Sequence, residues 1–478
     1  MTTHATPVPV TNGIGIPDTV QTRVGPLRFF DGFPDDPTTR TLFDNLDFQR
    51  AVQAYLLGLA PVDMAAMRKA LLHWGPPNTT MAIWEDLVRP RFIGLIYNTS
   101  TSYCYSWIDL HDGPVVLEVP ARVYGGIDDN WCRWVIDVGQ TGPDRGEGGK
   151  YVLVPPGYDG DLPDGCTVVR PRTYGNWLAY RGFLDEHGDP HPEVERIKAE
   201  SRQYLLSQSA DPPPMRFVNA SPEPAVAVPP ADFRFWNMLS EVVQSEPPES
   251  ADPLTLGMFA SLGIEHGKPF EPDARMRAIL TEAVTVGDAT VRALSFRFRQ
   301  KEAYYYPDSA WRTGYLGGYQ FQEDGASLLD SAAQIYFLGG ATNPGMAANL
   351  VGRGSKYALA FVDADGAQFD GARSYSLHVP PNVPANNFWS VLVYDTQTRS
   401  MLQTDQEWPS VTSQEDSLVV NTDGSVDVHF GPEPPAKPGN WIQTVAGKSW
   451  FTIFRLYGPL EAWFDKTWRL PDIEPAGR

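Results

Sequence analysis

Two stretches near the C-terminus leave this chain the least freedom. In the first, Trp389, Val391 and Val393 alternate with Ser390, Leu392 and Tyr394. A period of two that is largely apolar on both faces describes a β-strand packed on both sides. Asp395-Thr396-Gln397 follows with turn chemistry. The second stretch, Trp450 to Tyr457, has the same character and is stopped by Gly458-Pro459. Asp423-Gly424, a hairpin signal, and Asn440-Trp441 lie between them. This pattern predicts an antiparallel sandwich over the C-terminal third.

The rest of the chain fits a β-rich protein with a helical middle. It has 478 residues, with 42 Gly and 44 Pro, well above the average of about 12% for the two together. Leu42, Leu46, Val52, Leu56 and Leu59 predict a helix over 41–59, and Asp63 is read as the N-cap of a second one carrying Met64, Met67 and Leu71. Short β-type runs are expected at 92–97, 103–110, 115–119, 131–138, 150–154, 167–170 and 177–181. Helical periodicity returns from His191, at 232–243, 252–262 and 272–294, and in shorter pieces at 328–337 and 346–351. Strands resume at 357–362 and 374–379. The expected organisation is a flexible arm at 1–38, an N-terminal domain at 39–207, a Pro-rich linker at 208–231, a helical domain at 232–352 and a C-terminal domain at 353–478.

Charge and motif content narrow the function. The net charge of −20 repels phosphate backbones, so a nucleic-acid partner is not expected. No apolar run reaches the roughly 18 residues needed to cross a membrane. Residues 1–24 lack a basic region and an apolar core. That predicts a cytoplasmic protein if Met1 is the natural start, and an exported one if a signal was removed. Cys104, Cys132 and Cys166 form no CxxC pair and read as buried fillers. No nucleophile elbow, zincin motif, P-loop or dinucleotide fingerprint is present. Asp363-Ala364-Asp365-Gly366 reads as a hairpin turn, because the later ligands of a calcium loop are missing. No cofactor and no metal are expected.

Two blocks of residues carry a family resemblance. Asn98-Thr99-Ser100-Thr101-Ser102-Tyr103, Asp109-Leu110, the run 113–120 and the run 149–158 resemble the domain-of-unknown-function family numbered 1254. Phe388-Trp389-Ser390, Tyr394-Asp395, Asp423-Gly424, Asn440-Trp441, the run 455–459 and Trp468 resemble its companion family numbered 1214. The resemblance implies an immunoglobulin-like N-terminal sandwich, an α-helical insert and a jelly-roll-like C-terminal domain, with no activity assigned. The first family commonly has Asp where this chain has Ser100, which tells against a catalytic acid there.

Four groups of residues stand out as candidates. Asn98, Thr101, Tyr103 and Trp107 combine polar and aromatic groups on one strand face, as a small-molecule or sugar site needs. Buried hydroxyls at a strand crossing would give the same pattern. Trp131, Arg133, Asp137, Asp144 and Arg145 surround a glycine-rich loop. There Arg133 and Asp137, four apart on a strand, are expected to face one side and to serve with Tyr103 in catalysis. An internal ion pair that orders the loop is the alternative. Tyr304 to Arg312 suits a pocket rim or inter-domain packing. Asn440, Arg455 and Tyr457 with Asp405 suit a site or a sandwich corner. The functional expectation is a metal-independent hydrolase or lyase with a cleft between domains. A carbohydrate- or polyol-binding protein and a structural or assembly protein, with homo-oligomers, are the other readings.

Overall fold

The structure is a computed structural model, and it describes residues 14–476. It contains several mixed sheets and, among the described residues, eight α-helices. The C-terminal pair of stretches forms as the alternation requires. Strand Ala385–Asp395 pairs antiparallel with strand Trp450–Pro459, placing Val391 opposite Phe454. Trp389, Val391 and Val393 enter one buried cluster, whereas Leu392 and Tyr394 enter another. Strands Ser355–Ala360 and Ser410–Thr412 complete this four-stranded sheet. A second four-stranded sheet, built around strands Tyr375–Val379 and Val426–Gly431, contributes Leu377, Val379 and Val428 to the cluster that holds Trp389. The two sheets therefore share one apolar interior.

The N-terminal half repeats this arrangement. A six-stranded sheet runs in the order Arg216–Asn219, Thr80–Ile83, Thr101–Asp109, Gly175–Phe183, Tyr124–Asp129, Trp134–Gly139. Cys104, Ile108 and Leu178 from this sheet share a cluster with Val115, Leu117 and Leu153 from a four-stranded neighbour. Its other face carries Tyr103, Tyr105, Trp107 and Trp177. These meet the helices and the face of the C-terminal sheet turned away from its partner sheet in one central cluster.

That central cluster accounts for several departures from expectation. Residues 41–59 and 63–71 are not two helices but part of one, Asp36–Trp74, with Pro61 inside it and Asp35 as the real N-cap (Thr38 N to Asp35 Oδ1, 2.8 Å). An internal proline costs about 3 kcal/mol, but burial from Ala51 to Trp74 offsets it. Asp63 is therefore a buried mid-helix residue. Residues 92–97 form a loop with an isolated β-bridge between Ile93 and Val226. The proline-rich stretch 208–231 supplies strand Arg216–Asn219, which pairs in parallel with Thr80–Ile83. Within the expected flexible arm, residues 1–13 lie outside the described residues, whereas Thr19–Thr22, Gly25–Phe30 and Phe33–Pro34 form a small antiparallel sheet. The expected helix 346–351 shrinks to Pro344–Ala347. The helix predicted over 272–294 is present as Ala274–Phe296, capped by Asp273.

Candidate functional site

Between the two sheet pairs lies a cavity of about 110 Å³. An enclosed space of roughly 150 Å³ holds a benzene ring, so this somewhat smaller volume is of the order of one small ring or a short chain. The long helix, the six-stranded sheet and the C-terminal sheet all contribute to its wall. The long helix gives Asp63, strand Thr101–Asp109 gives Tyr103 and Tyr105, strand Gly175–Phe183 gives Arg181, and the C-terminal sheet gives Tyr357 and Arg455.

Arg181 owes its place to strand register. Its strand is flanked on both sides, and the residues directly opposite are Tyr103 and Tyr124. The guanidinium lies 5.6 Å from the Tyr103 ring centre and 4.8 Å from that of Tyr124. Such cation–π contacts favour the charge without supplying an anion. Among the described residues, no hydrogen-bond acceptor or carboxylate partners the Arg181 guanidinium. Gly125, beside Tyr124, is required for the close strand pairing: a Cβ there would lie 2.1 Å from the Ala179 carbonyl oxygen.

Arg455 is the second cation of the wall and is 2% exposed. It donates to Tyr394 Oη at 2.5 Å and to the Ile96 carbonyl at 2.6 Å, both neutral acceptors. Arginine stays protonated in proteins, so two guanidiniums share this space.

The one carboxyl in the wall does not balance them. Asp63 is 4% exposed, and neither of its oxygens has a hydrogen-bond partner among the described residues. Burial holds its carboxyl well above the usual range; Arg399 offsets this only in part. Burial likewise pushes the phenols of Tyr97, Tyr105 and Tyr315 up, so they are neutral donors.

The residues singled out in the sequence divide into two groups. Asn98 and Tyr103 line the cavity. Asn98 donates to Tyr457 Oη at 2.7 Å, and its Oδ1 accepts from Thr101 Oγ1 at 3.0 Å, so Thr101 orients Asn98. Of the remaining candidates, Arg455 alone also lines the cavity. Trp107 packs in the central cluster. Trp131 donates to Ser250 Oγ at 2.7 Å.

Arg133 and Asp137 do not act as a pair, correcting the expectation for them. The strand begins only at Trp134, and Arg133, in the turn before it, folds back onto Asp129 at 2.6 Å. Asp137 instead accepts from Trp134 Nε1 at 2.9 Å. Asp144 accepts from Tyr151 Oη at 2.5 Å and from the Gly139 amide at 2.8 Å, closing the glycine-rich loop. Arg145 takes a left-handed conformation in that loop (φ 51°).

In the third group, Trp311 joins the C-terminal cluster and Tyr305 Oη donates to the Tyr357 carbonyl at 2.8 Å. In the fourth, Asn440 bonds the backbone of Val419 and Asp427, each at 2.9 Å, whereas Arg455 and Tyr457 belong to the cavity region.

Arg181 and Asp63 were not singled out by the sequence. The available signal was a lone arginine on the apolar face of Trp177, Ala179 and Arg181. For Asp63 it was an acid inside an otherwise apolar helical stretch.

Comparison with known proteins agrees with the two blocks read from the sequence. Residues 79–205 match the model of a family described as a protein of unknown function (DUF1254). Residues 354–461 match another so described, DUF1214. The cavity draws on both: Tyr103 and Arg181 lie in the first segment, Tyr357 and Arg455 in the second. The fold is similar to that of the VPA0106 protein from Vibrio parahaemolyticus. The TM-score is 0.56 at 19% identity, covering 90% of this chain and 100% of that one. An uncharacterised protein from Burkholderia cenocepacia aligns over 92% of this chain and 96% of its own, at a TM-score of 0.39 and 13% identity. No curated protein matches the chain.

Proposed function

We propose that this protein binds a small organic anion, a carboxylate on a compact apolar body, in the cavity between its two sheet pairs. The observation that carries this reading is the pair of guanidiniums, Arg181 and Arg455, in a wall whose one carboxyl, Asp63, bonds neither of them. A buried charge without a counter-ion costs several kcal/mol. A ligand carboxylate would offset that cost and accept the donors that Arg181 offers. Asn98 and Tyr103 add polar contacts beside it, and the aromatic wall takes the apolar body.

The finer architecture belongs to the same proposal: the first sheet pair is read as immunoglobulin-like and the second as jelly-roll-like. Chemistry on the bound anion, of the hydrolase or lyase type, would use this cavity. The carbohydrate reading has less support, because a polyol needs many aimed hydrogen bonds and more of the wall is apolar than polar.

Calorimetric titration with monocarboxylates from acetate to naphthoate, beside their neutral primary amides, tests the reading. The acids of matching size are expected to bind at least about tenfold more tightly than their amides. Arg181→Met should remove that preference while leaving the far-ultraviolet dichroism unchanged. Equal binding of acid and amide, or no binding by any acid, sinks the proposal.

A further inference from the structure

We infer that Asp63 is the second polar pole of the cavity, a hydrogen-bonding carboxyl that receives a hydroxyl or carbonyl oxygen at the far end of the ligand. This deepens the anion-site reading and rests on it. The ligand class it names is a hydroxy- or oxo-carboxylate on a small, flat body.

Three observations meet at this residue. First, both Asp63 oxygens are buried without a partner among the described residues, although a buried polar group left unpaired costs about 1–3 kcal/mol. The helix could have carried an apolar residue here, as it does at Val62, Met64 and Met67. Second, the backbone opposite comes close. Gly340 lies in the cavity wall, and a Cβ on it would stand 3.2 Å from Asp63 Oδ2. Third, the two poles have different neighbours. Arg399 is the cation acting on Asp63, and Tyr97 and Cys132 feel the Asp63 carboxyl in turn. Arg181 stands instead among Tyr103 and Tyr124. Arg181 and Asp63 line the same cavity, so a ligand held by its carboxylate at Arg181 can offer its other end to Asp63.

A carboxyl accepts from a hydroxyl in either charge state and, when it carries its proton, also donates to a carbonyl. Sites built to bond a buried hydroxyl discriminate strongly against the analogue that lacks it.

The test titrates the full chain with benzoate, 3-hydroxybenzoate, 4-hydroxybenzoate, phenylacetate and 4-hydroxyphenylacetate. In the wild type, at least one hydroxy acid is expected to bind about tenfold or more tightly than its parent. Asp63→Leu should abolish that preference. Asp63→Asn, which can still donate and accept, should retain most of the preference, and it also serves should the leucine variant fail to fold. If Asp63→Leu keeps the hydroxyl preference, or if no hydroxy acid is preferred, the inference about Asp63 is overturned and the anion site stands. If no acid binds at all, the anion site itself falls, and this inference with it.

Discussion

Asp137 shows how a single group reads differently once its surroundings are known. In the sequence it is a candidate base; in the fold it is a 4%-exposed carboxyl bonded by Trp134. Burial pushes its pKa up to about 6 from 3.8. The folded state therefore holds the proton more tightly than the unfolded state. The stability this gives is full below about pH 4 and is lost as pH rises through about 6. Two units correspond to about 3 kcal/mol. Asp137→Asn keeps an acceptor for Trp134 and removes the ionisation. It is expected to raise stability at pH 7 by up to about 3 kcal/mol, to leave it nearly unchanged at pH 4, and to flatten the melting temperature between those values. An equal shift at both pH values would refute this account.

At the scale of elements, two helical glycines make opposite predictions. Gly287, in helix Ala274–Phe296, lies against the long helix: an added Cβ would stand 2.4 Å from Tyr55 Cδ1. Gly287→Ala gains about 1 kcal/mol of helix propensity but forces Tyr55 aside, and overpacking costs about 1–3 kcal/mol. The net outcome expected is destabilisation. Gly257, in helix Pro253–Ala260, has open space where its Cβ would be. Gly257→Ala should therefore stabilise by up to about 1 kcal/mol. Urea midpoints of the two variants check the pair, and the same sign for both would rule out the packing argument.

Across the whole molecule, the two family-matched segments are joined at the cavity by a few long-range bonds. Tyr394 Oη donates to the Tyr97 carbonyl at 2.7 Å and accepts from Arg455, and Asn98 reaches Tyr457. Tyr394→Phe leaves that carbonyl and that guanidinium each one partner short. A loss of about 1–3 kcal/mol is expected, in a transition that stays single because the central cluster spans both halves. Separate transitions for the two halves would show that the junction is not what unites them.

Local pattern was enough to determine the alternation of Trp389, Val391 and Val393, the β–α–β order, the helix ending near Phe296 and the two family blocks. In each case one stretch carries its own signal, through side-chain period or cap chemistry. The sequence also pointed to Asn98 and Tyr103, because they share a polar and aromatic strand face. Only the tertiary structure decided the rest. Pro61 reads as a helix breaker until burial on all sides offsets its cost. Strand Tyr124–Asp129 is hidden by Gly125-Gly126, whose purpose is the close approach of a neighbouring strand. Arg181 and Asp63 become a site only because a sheet register and a continuous helix bring residues 118 positions apart to one cavity. No short-range pattern encodes that distance, since it depends on how whole layers pack.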